Sequence, residues 1–418
     1  MTNLETNSES NSPEHNRQFF FDAPATATPA SPAGKPAKQK RQKTGLTATS
    51  ALIIGSLVGG GIGGAAGVAS FLISSRPAPI VVNNQSDVSW VTSTAAVALP
   101  SVVTISVDGS TEAGTGSGVF LTDSGYILTN THVVTLEGAT SKAIVQVKTT
   151  DGHIYDATII GTDPANDLAV IKISAPIKFT PIKFADSSKI NVGDAVVALG
   201  APLGLESSVT SGVVSALDRT IQVASSAPNQ SGTLQWWNGN GAAPVSMKVI
   251  QTDASINPGN SGGALVNQRG ELVGVNVAIA TASSGSSTTG QSGSIGVGFA
   301  IPSNVAKRIG NELMTTGKAS HGLFGAMVSD NGSAKSAAVG FSTGAKVQKL
   351  TSGGAAEKAG ILVGDVVTKF DGHLIASSGD LTAAVRFLPA HTKVTVEINR
   401  AGKSLTFDVT LGDLATLK

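Results

Sequence analysis

Hydrophobic and polar residues alternate in short runs over most of the chain beyond residue 100. In the first run, Val103, Ile105 and Val107 alternate with Thr104 and Ser106. An alternation with period two predicts half-buried β-strands. Similar apolar runs, separated by Gly, Asp and Asn, occupy residues 118–122, 144–148, 168–173, 194–199, 247–252 and 272–278. Many short strands between turn residues are typical of an all-β barrel or sandwich.

A helix and a second domain are predicted after these strands. Pro302 stands at the start of a helical segment that ends at Thr316, and Gly317 follows it. New strand patterns and a small-residue helix around 354–360 then indicate a second domain of ordinary size. The predicted boundaries are 96–305 for the strand-rich domain, 306–320 for a connecting helix and linker, and 321–418 for the second domain.

The chain before residue 96 has a different composition. Residues 1–44 are polar, with a basic run near their end, which predicts a disordered cytoplasmic tail. No charged residue occurs over 45–75, long enough for one transmembrane helix, and the positive flank predicts that everything after Arg76 lies outside the cytoplasm. Residues 76–95 are predicted to be a linker. A cleaved signal peptide is the alternative interpretation of the apolar segment.

Charge and cysteine content exclude several classes of function. The formal net charge of +1 over 418 residues gives no basic field of the kind that nucleic-acid binding requires, so no nucleic-acid partner is predicted. The chain contains no cysteine, which excludes disulfides, zinc–thiolate sites and a cysteine nucleophile. No metal site and no cofactor are predicted.

Three separate segments carry candidate chemistry. His132 follows an apolar strand, Asp167 precedes another, and Ser261 lies in a glycine-rich segment. Each residue alone is equally compatible with a structural role, as a core histidine, a turn residue or a tight turn. Together they supply a nucleophile, a base to take its proton and an acceptor to orient that base, in the order found in chymotrypsin-type triads.

The segment around the serine also predicts an oxyanion hole, formed by Gly259, Asn260 and Ser261. Attack on a peptide carbonyl develops negative charge on its oxygen, and backbone N–H groups can point at that oxygen only if the loop bends sharply. Glycine permits the positive φ that such a bend needs.

Several motifs of this chain resemble those of the HtrA (DegP-like) serine proteases, from about residue 95 to the C-terminus. The similar segments are Gly125–Val134, Asp167–Val170, Gly200–Gly204, Gly259–Gly263, Gly296–Pro302 and Ala355–Asp365. The resemblance implies a mainly β protein of the membrane-anchored bacterial type, with a double six-stranded, chymotrypsin-like β-barrel followed by an α+β PDZ domain. It also implies catalytic roles for His132, Asp167 and Ser261. A further implication of the resemblance is that the chain assembles as a homotrimer.

The resemblance implies further that the PDZ domain binds C-terminal peptides at Leu323, Phe324, Gly325 and Ala326. Such domains accept a peptide as an added strand and capture its carboxylate with backbone N–H groups. The alternative for Leu323 and Phe324 is that they are core residues. Ser255 lies six positions before Ser261. A trypsin-like specificity for Arg or Lys would require an acidic residue at this position, so we expect cleavage after small or medium apolar residues.

The predicted function is that of a serine endopeptidase that cleaves misfolded or regulatory proteins outside the cytoplasm. It would be anchored in the cell membrane by one helix with a cytoplasmic N-terminus. A chaperone or scaffold that binds unfolded chains without cleaving them is the alternative, and it would need neither the triad residues nor the glycine-rich loop.

Overall fold

The computed structural model describes residues 88–110, 112–140, 142–200, 208–227, 244–278, 296–332 and 342–417. The predicted tail (1–44), the predicted membrane helix (45–75) and most of the predicted linker lie outside these ranges. Among the helices of the described ranges, none combines the length and the apolar character that crossing a membrane requires.

The first six strands close into a barrel in the order β1-β2-β3-β6-β5-β4. Their bounds are β1 Val102–Asp108, β2 Ala113–Phe120, β3 Tyr126–Thr129, β4 Ile144–Thr149, β5 Ile154–Asp163 and β6 Leu168–Ile173. The barrel interior is apolar and includes Ile105, Phe120 and Ile171, each at most 1% exposed. All pairings within the barrel are antiparallel.

The next six strands close into a second barrel in the order β10-β11-β12-β9-β8-β7. Their bounds are β7 Ala195–Gly200, β8 Ser208–Val223, β9 Val245–Thr252, β10 Ala264–Asn267, β11 Leu272–Val277 and β12 Gly298–Pro302. The prediction of a double six-stranded β-barrel is therefore confirmed.

Alternate residues of the same strand belong to different cores. On β6, Ala169 and Ile171 fill the first barrel, whereas Leu168 and Val170 belong to a cluster that also contains residues of the second barrel. Successive side chains of a strand point to opposite faces, so a strand with cores on both sides must be apolar throughout. This explains why β6 consists almost entirely of apolar residues.

The predicted linker ends earlier than the sequence suggested, because helix α1 spans Trp90–Ala98. Ser89 caps this helix by accepting a hydrogen bond from the N–H of Thr92 at 3.2 Å. Ala95 and Ala98 are each 1% exposed and belong to the apolar cluster shared by the two barrels. The small side chains of Ala95 and Ala98 allow the helix to pack closely against this cluster.

Two further helices belong to the barrel domain. The short helix α2 covers Thr131–Thr135, directly after β3, and α3 covers Ser303–Thr316. Helix α3 begins immediately after β12 and is capped at its end by Gly317, whose φ of 71° lies in the left-handed region that glycine favours. Ile309 and Leu313 of α3 are fully buried in the apolar cluster shared by the barrels. Residues 306–316, predicted to be part of a connecting helix and linker, therefore belong to the core of the strand-rich domain.

The second domain is a small mixed α+β unit. Strand β14 is one edge of its main sheet, which runs β14-β15-β16-β18-β19, with β17 paired to β16; β13 pairs with β20. The strand bounds are β13 Gly322–Leu323, β14 Ala326–Asp330, β15 Ala345–Leu350, β16 Val366–Phe370, β17 His373–Leu374, β18 Lys393–Arg400, β19 Lys403–Thr410 and β20 Gly412–Asp413. The helices are α4, Ala355–Lys358, and α5, Ser378–Phe387.

Candidate active site

The predicted histidine and aspartate lie at the ends of two paired strands of the first barrel. Strands β3 and β6 are antiparallel, so the end of β3 lies beside the start of β6. His132 follows β3 in helix α2, and Asp167 directly precedes β6. The strand pairing therefore places two residues that are 35 positions apart in the sequence next to each other.

Asp167 orients the imidazole of His132 through two hydrogen bonds. Nδ1 of His132 lies 2.6 Å from Oδ2 of Asp167, and the backbone N–H of His132 donates to Oδ1 at 2.9 Å. An ionised carboxylate can only accept, so the proton of a neutral imidazole is held on Nδ1. Nε2 is then available as an acceptor, and within the described ranges it has no hydrogen-bond partner.

Asp167 is held in place by its own backbone and by its neighbours. Its φ of 52° is unusual for a residue with a side chain, and the residue is only 3% exposed. Its carbonyl oxygen accepts hydrogen bonds from the side-chain amide of Asn130 at 2.8 Å and from the N–H of Thr131 at 3.2 Å. These bonds attach the turn Asp163–Asp167, called the aspartate turn below, to the segment that carries His132.

One further contact to this carboxylate could not be predicted from the sequence. The hydroxyl of Ser226, which follows β8, donates to Oδ1 of Asp167 at 3.3 Å, and Ser226 is 3% exposed. The hydroxyl of Thr135 in turn donates to the carbonyl of Ser226 at 3.1 Å. Ser226 is one of many serines in a polar segment, and no local pattern distinguishes it from the others.

The electrostatic environment favours the protonated form of His132. Burial alone would lower the pKa of His132, but the charge of Asp167, its hydrogen bond and the charge of Glu137 together raise this pKa above its ordinary value of 6.5. The imidazolium that forms when histidine accepts a proton is therefore stabilised where it would be needed. Within the described part of the chain, no group of three His, Asp or Glu residues could hold a metal ion.

The segment of Ser261 is attached to the strands that precede His132. The N–H of Ser117 on β2 donates to the carbonyl of Ser261 at 2.8 Å, and the hydroxyl of Ser117 donates to the carbonyl of Gly259 at 2.7 Å. Gly262 has a φ of 81°, and a Cβ there would collide with the carbonyl oxygen of Ser117 and the hydroxyl of Thr129. Only glycine therefore allows this segment to approach the first barrel so closely.

Two backbone N–H groups of the predicted oxyanion hole are free to bind a substrate oxygen. Gly259 has a φ of 99°, which bends the loop sharply. Within the ranges described, the N–H groups of Gly259 and Ser261 donate to no acceptor, whereas the N–H of Asn260 donates to the carbonyl of Asn257 at 2.9 Å. The geometry thus offers Gly259 and Ser261 as donors, while the amide of Asn260 stabilises the loop itself.

The hydroxyl of Ser261 has a different partner from the one that catalysis would need. It accepts a hydrogen bond from the N–H of Ala278 at 3.0 Å, and no hydrogen bond joins it to His132, both residues being described. The contact with Ala278 uses the hydroxyl oxygen as an acceptor, so the O–H of Ser261 is still available, and proton transfer requires it to donate to Nε2 of His132.

The predicted peptide-binding loop of the second domain combines a core residue with free backbone donors. Phe324 is 5% exposed and packs edge-on against Phe370, so its side chain belongs to the core. The carbonyls of Phe324 and Gly325 accept from Ala356 and Thr351, but their N–H groups donate to no acceptor within the described residues. Leu323 lies on β13, and Ala326 begins the edge strand β14.

Comparisons with known proteins agree with both domains. Residues 116–275 match the trypsin-like peptidase domain family, and residues 295–411 match the PDZ domain family. The serine protease PepD of Mycobacterium tuberculosis is 40% identical over 390 residues, which cover 90% of this chain and 79% of PepD. The periplasmic serine endoprotease DegP of Escherichia coli is 40% identical over 299 residues, which cover 71% of this chain and 56% of DegP.

Solved structures lead to the same family. The HtrA-type protease AlgW with a tripeptide is 30% identical, has a TM-score of 0.55, and matches 78% of this chain and 97% of its own chain. PepD, DegP and AlgW are all proteases, and the two domain families matched by this chain are a trypsin-like peptidase domain and a PDZ domain. The chain therefore belongs to the HtrA (DegP-like) family of trypsin-like serine proteases that carry a PDZ domain.

Proposed function

We propose that this serine protease cleaves misfolded or regulatory proteins outside the cytoplasm, with Ser261, His132 and Asp167 as its catalytic residues. The main support is the buried carboxylate 2.6 Å from Nδ1 of His132, beside a glycine-bent segment that carries a serine. This arrangement supplies an oriented base and a nucleophile, which a binding protein would not require.

In the proposed mechanism, Oγ of Ser261 attacks the carbonyl carbon of the peptide bond and its proton passes to Nε2 of His132. Asp167 stays ionised and stabilises the imidazolium. His132 then gives the proton to the leaving nitrogen, the C–N bond breaks, and an acyl-enzyme ester remains on Ser261. A water molecule, deprotonated by His132, attacks the ester, and the breakdown of the second intermediate releases the acid and restores the serine hydroxyl.

The free N–H groups of Gly259 and Ser261 would stabilise the oxygen that becomes negative in both tetrahedral intermediates. Such donors act strongly because they are already oriented when the charge develops. Gly259 is buried, and the hydroxyl of Ser117 donates to its carbonyl, which holds the Gly259–Asn260 peptide unit in place.

The PDZ domain is proposed to bind the C-terminal ends of proteins. Strand β14 is a sheet edge to which a peptide strand could be added, and the N–H groups of Phe324 and Gly325 lie beside its start. Backbone donors of this kind can capture a terminal carboxylate. The side chain of Leu323 would face an apolar last residue, whereas that of Phe324 would support the loop from the core.

Location and assembly are proposed from the sequence and the relatives. DegP is named a periplasmic enzyme, and the uncharged segment 45–75 with its basic flank is consistent with one membrane helix. We propose an extracytoplasmic protease anchored by this segment and active as a homotrimer. Sedimentation equilibrium of the active enzyme tests the trimer, and a fully active monomer would refute it.

The proposed chemistry is tested by labelling the full chain with a fluorophosphonate and by measuring casein hydrolysis. Wild type should be labelled and should release casein fragments, and Ser261→Ala should do neither while still binding unfolded casein. Addition of C-terminal peptides tests the role of the PDZ domain. Binding of casein by wild type without labelling or hydrolysis would favour the chaperone instead.

A further inference from the structure

A buried histidine lies where the protease domain meets the PDZ domain. His321 directly precedes β13, and it is 6% exposed. It contacts the protease domain through its side chain, and its carbonyl accepts a hydrogen bond from the N–H of Leu414 at 3.0 Å. The proposed mechanism does not use this residue.

Both ring nitrogens of His321 face oxygen atoms that can only accept. Nε2 lies 2.8 Å from Oδ1 of Asp163, which is itself 3% exposed, and Nδ1 lies 2.9 Å from the carbonyl oxygen of Arg386 on α5. A neutral imidazole has only one N–H, so both contacts can be hydrogen bonds only if the ring is an imidazolium. The side-chain amide of Asn166 also lies near Nδ1, but at 3.3 Å this contact is longer than the one to Arg386.

The protease partner of His321 shapes the turn that carries the proposed catalytic aspartate. Oδ1 of Asp163 also accepts from the N–H of Ala165 at 3.1 Å, and Oδ2 accepts from the side-chain amide of Asn166 at 3.3 Å. Asp167 is the next residue and has a positive φ. Movement of the Asp163 carboxylate would therefore loosen the turn whose last residue orients His132.

The PDZ side of the contact is anchored to the end of helix α5. The N–H of Gly322 donates to the carbonyl of Leu388 at 2.8 Å, and the guanidinium of Arg308 on α3 donates to the carbonyls of Ser320 and Phe387 at 2.9 and 3.1 Å. Helix α5 flanks the edge strand β14, where Asp330 accepts hydrogen bonds from Ser378. His321 thus connects helix α5, which contacts the edge strand β14 of the proposed peptide site, to the Asp163–Asp167 turn.

The elements packed against the imidazole carry charged groups of both signs. Asp163 comes from the aspartate turn, Arg308 and Glu312 from α3, and Arg386 from α5. Arg308 is paired with Glu312 at 3.0 Å, which reduces its repulsion of a second cation. Burial alone would lower the pKa of His321, but the hydrogen bond and charge of Asp163 and the Arg386 carbonyl together raise it above 6.5.

We propose that protonated His321 is a positioning residue that ties the PDZ domain to the Asp163–Asp167 turn, and that this tie weakens when the histidine loses its proton. The pH dependence of this tie follows from the upward shift of the His321 pKa. Protonated His321 stabilises the contact between the two domains fully below its ordinary pKa of 6.5. This stabilisation is lost as the pH rises through the raised pKa. The effect on catalysis, though not the contact itself, rests on the proposed function.

The direct test compares His321, His321→Arg and His321→Gln in the full chain, each in a Ser261→Ala background to prevent self-cleavage. Arginine keeps two donors and a permanent charge, whereas glutamine is neutral at every pH. Hydrogen–deuterium exchange of the backbone amides of Asp163, Ala165, Asn166 and Asp167 is measured from pH 5.5 to 8.5 and corrected for the intrinsic rate at each pH. Amides of β4, none of whose residues takes part in the contact, serve as the internal reference.

We expect protection of the turn to fall with rising pH for His321, to stay high for Arg and to be low throughout for Gln. At the lowest pH the Gln variant should lose protection on the order of tenfold or more, because it leaves a buried carboxylate without its cation. Equal protection in His321 and Gln at every pH, with circular dichroism showing both folded, would overturn the proposal. If Arg fails to fold, the comparison of His321 with Gln still decides the question.

An activity readout then separates this proposal from the proposed function. The ratio of kcat/KM between wild type and His321→Arg cancels the titration of His132, which is common to both enzymes. We expect a ratio near one at pH 5.5 that falls several-fold by pH 8.5. A flat ratio with normal activity refutes the positioning role alone, whereas absence of any hydrolysis refutes the proposed function and leaves the exchange result standing.

Discussion

Replacing the carboxylate of Asp167 with an amide tests the orientation of His132 directly. In the wild-type structure, Oδ1 accepts from the N–H of His132 at 2.9 Å and from the hydroxyl of Ser226. In Asp167→Asn, Oδ1 can still accept both hydrogen bonds. The new NH₂ group would take the place of Oδ2, which lies 2.6 Å from Nδ1. Because NH₂ only donates, Nδ1 would have to accept, and the proton of the ring would move to Nε2.

The proton on Nε2 would face the serine, so His132 could no longer take the proton of the hydroxyl. The same substitution in a trypsin-like triad lowers kcat about 10⁴-fold, which corresponds to about 5 kcal/mol in activation free energy. We expect a loss of this size in kcat for a short peptide substrate, with a small change in KM. Because the variant should react poorly with an active-site label, kcat would be calculated from the concentration of folded protein.

Asp156→Asn is the matched control for this variant. Asp156 is an exposed residue of β5 in the same barrel, bonded to Gln146 at 3.0 Å, so the substitution changes the net charge equally without touching the site. It should retain full kcat. A loss of less than tenfold in Asp167→Asn, with the control unchanged and both variants folded, would refute the proposed role of the carboxylate.

Four further outcomes are expected. Gly262→Ala should lower the free energy of unfolding by about 2 kcal/mol or more, from its positive φ and the collision with Ser117; a urea melt like that of wild type would contradict this. Ser226→Ala should lower kcat roughly fivefold through one lost hydrogen bond to Asp167, and an unchanged kcat would show that the bond is not used. The value of kcat/KM should fall as the pH drops through the raised pKa of His132, because an imidazolium cannot accept a proton; an acid midpoint below 6.5 would be inconsistent with this. Gly325→Val should weaken the binding of a C-terminal peptide at least tenfold, on the order of the strain of a β-branched residue at a φ of 76°, as measured by fluorescence anisotropy; unaltered affinity would place the peptide elsewhere.

The strands of both barrels could be predicted because their signal is local. Val103, Ile105 and Val107 alternate with polar residues because one face of β1 fills the barrel. Two helices were less accessible to this reasoning. Helix α1 consists largely of small residues, and α5 was not predicted, although Ser377 and Asp380 form a capping box at its start.

The candidate site was accessible from the sequence only in part. His132, Asp167 and Ser261 were selected from their residue types, their order and the glycines around the serine. Their approach depends on the pairing of β3 with β6 and on Ser117, which joins the two barrels. The alternative that Phe324 is a core residue is supported by its burial, so the predicted peptide site there consists mainly of backbone donors.

The sequence by itself determined the features that depend on neighbouring residues: the alternation that makes strands, the glycines that permit positive φ, and the residue types of a triad. Tertiary structure alone decided that Ser226 bonds to Asp167 across 59 positions, that His321 meets Asp163 across 158, and that the Ser261 hydroxyl is bonded to Ala278. Such contacts form only once the whole strand order has closed the barrels and seated the PDZ domain. Their energy also depends on burial, which no local pattern records.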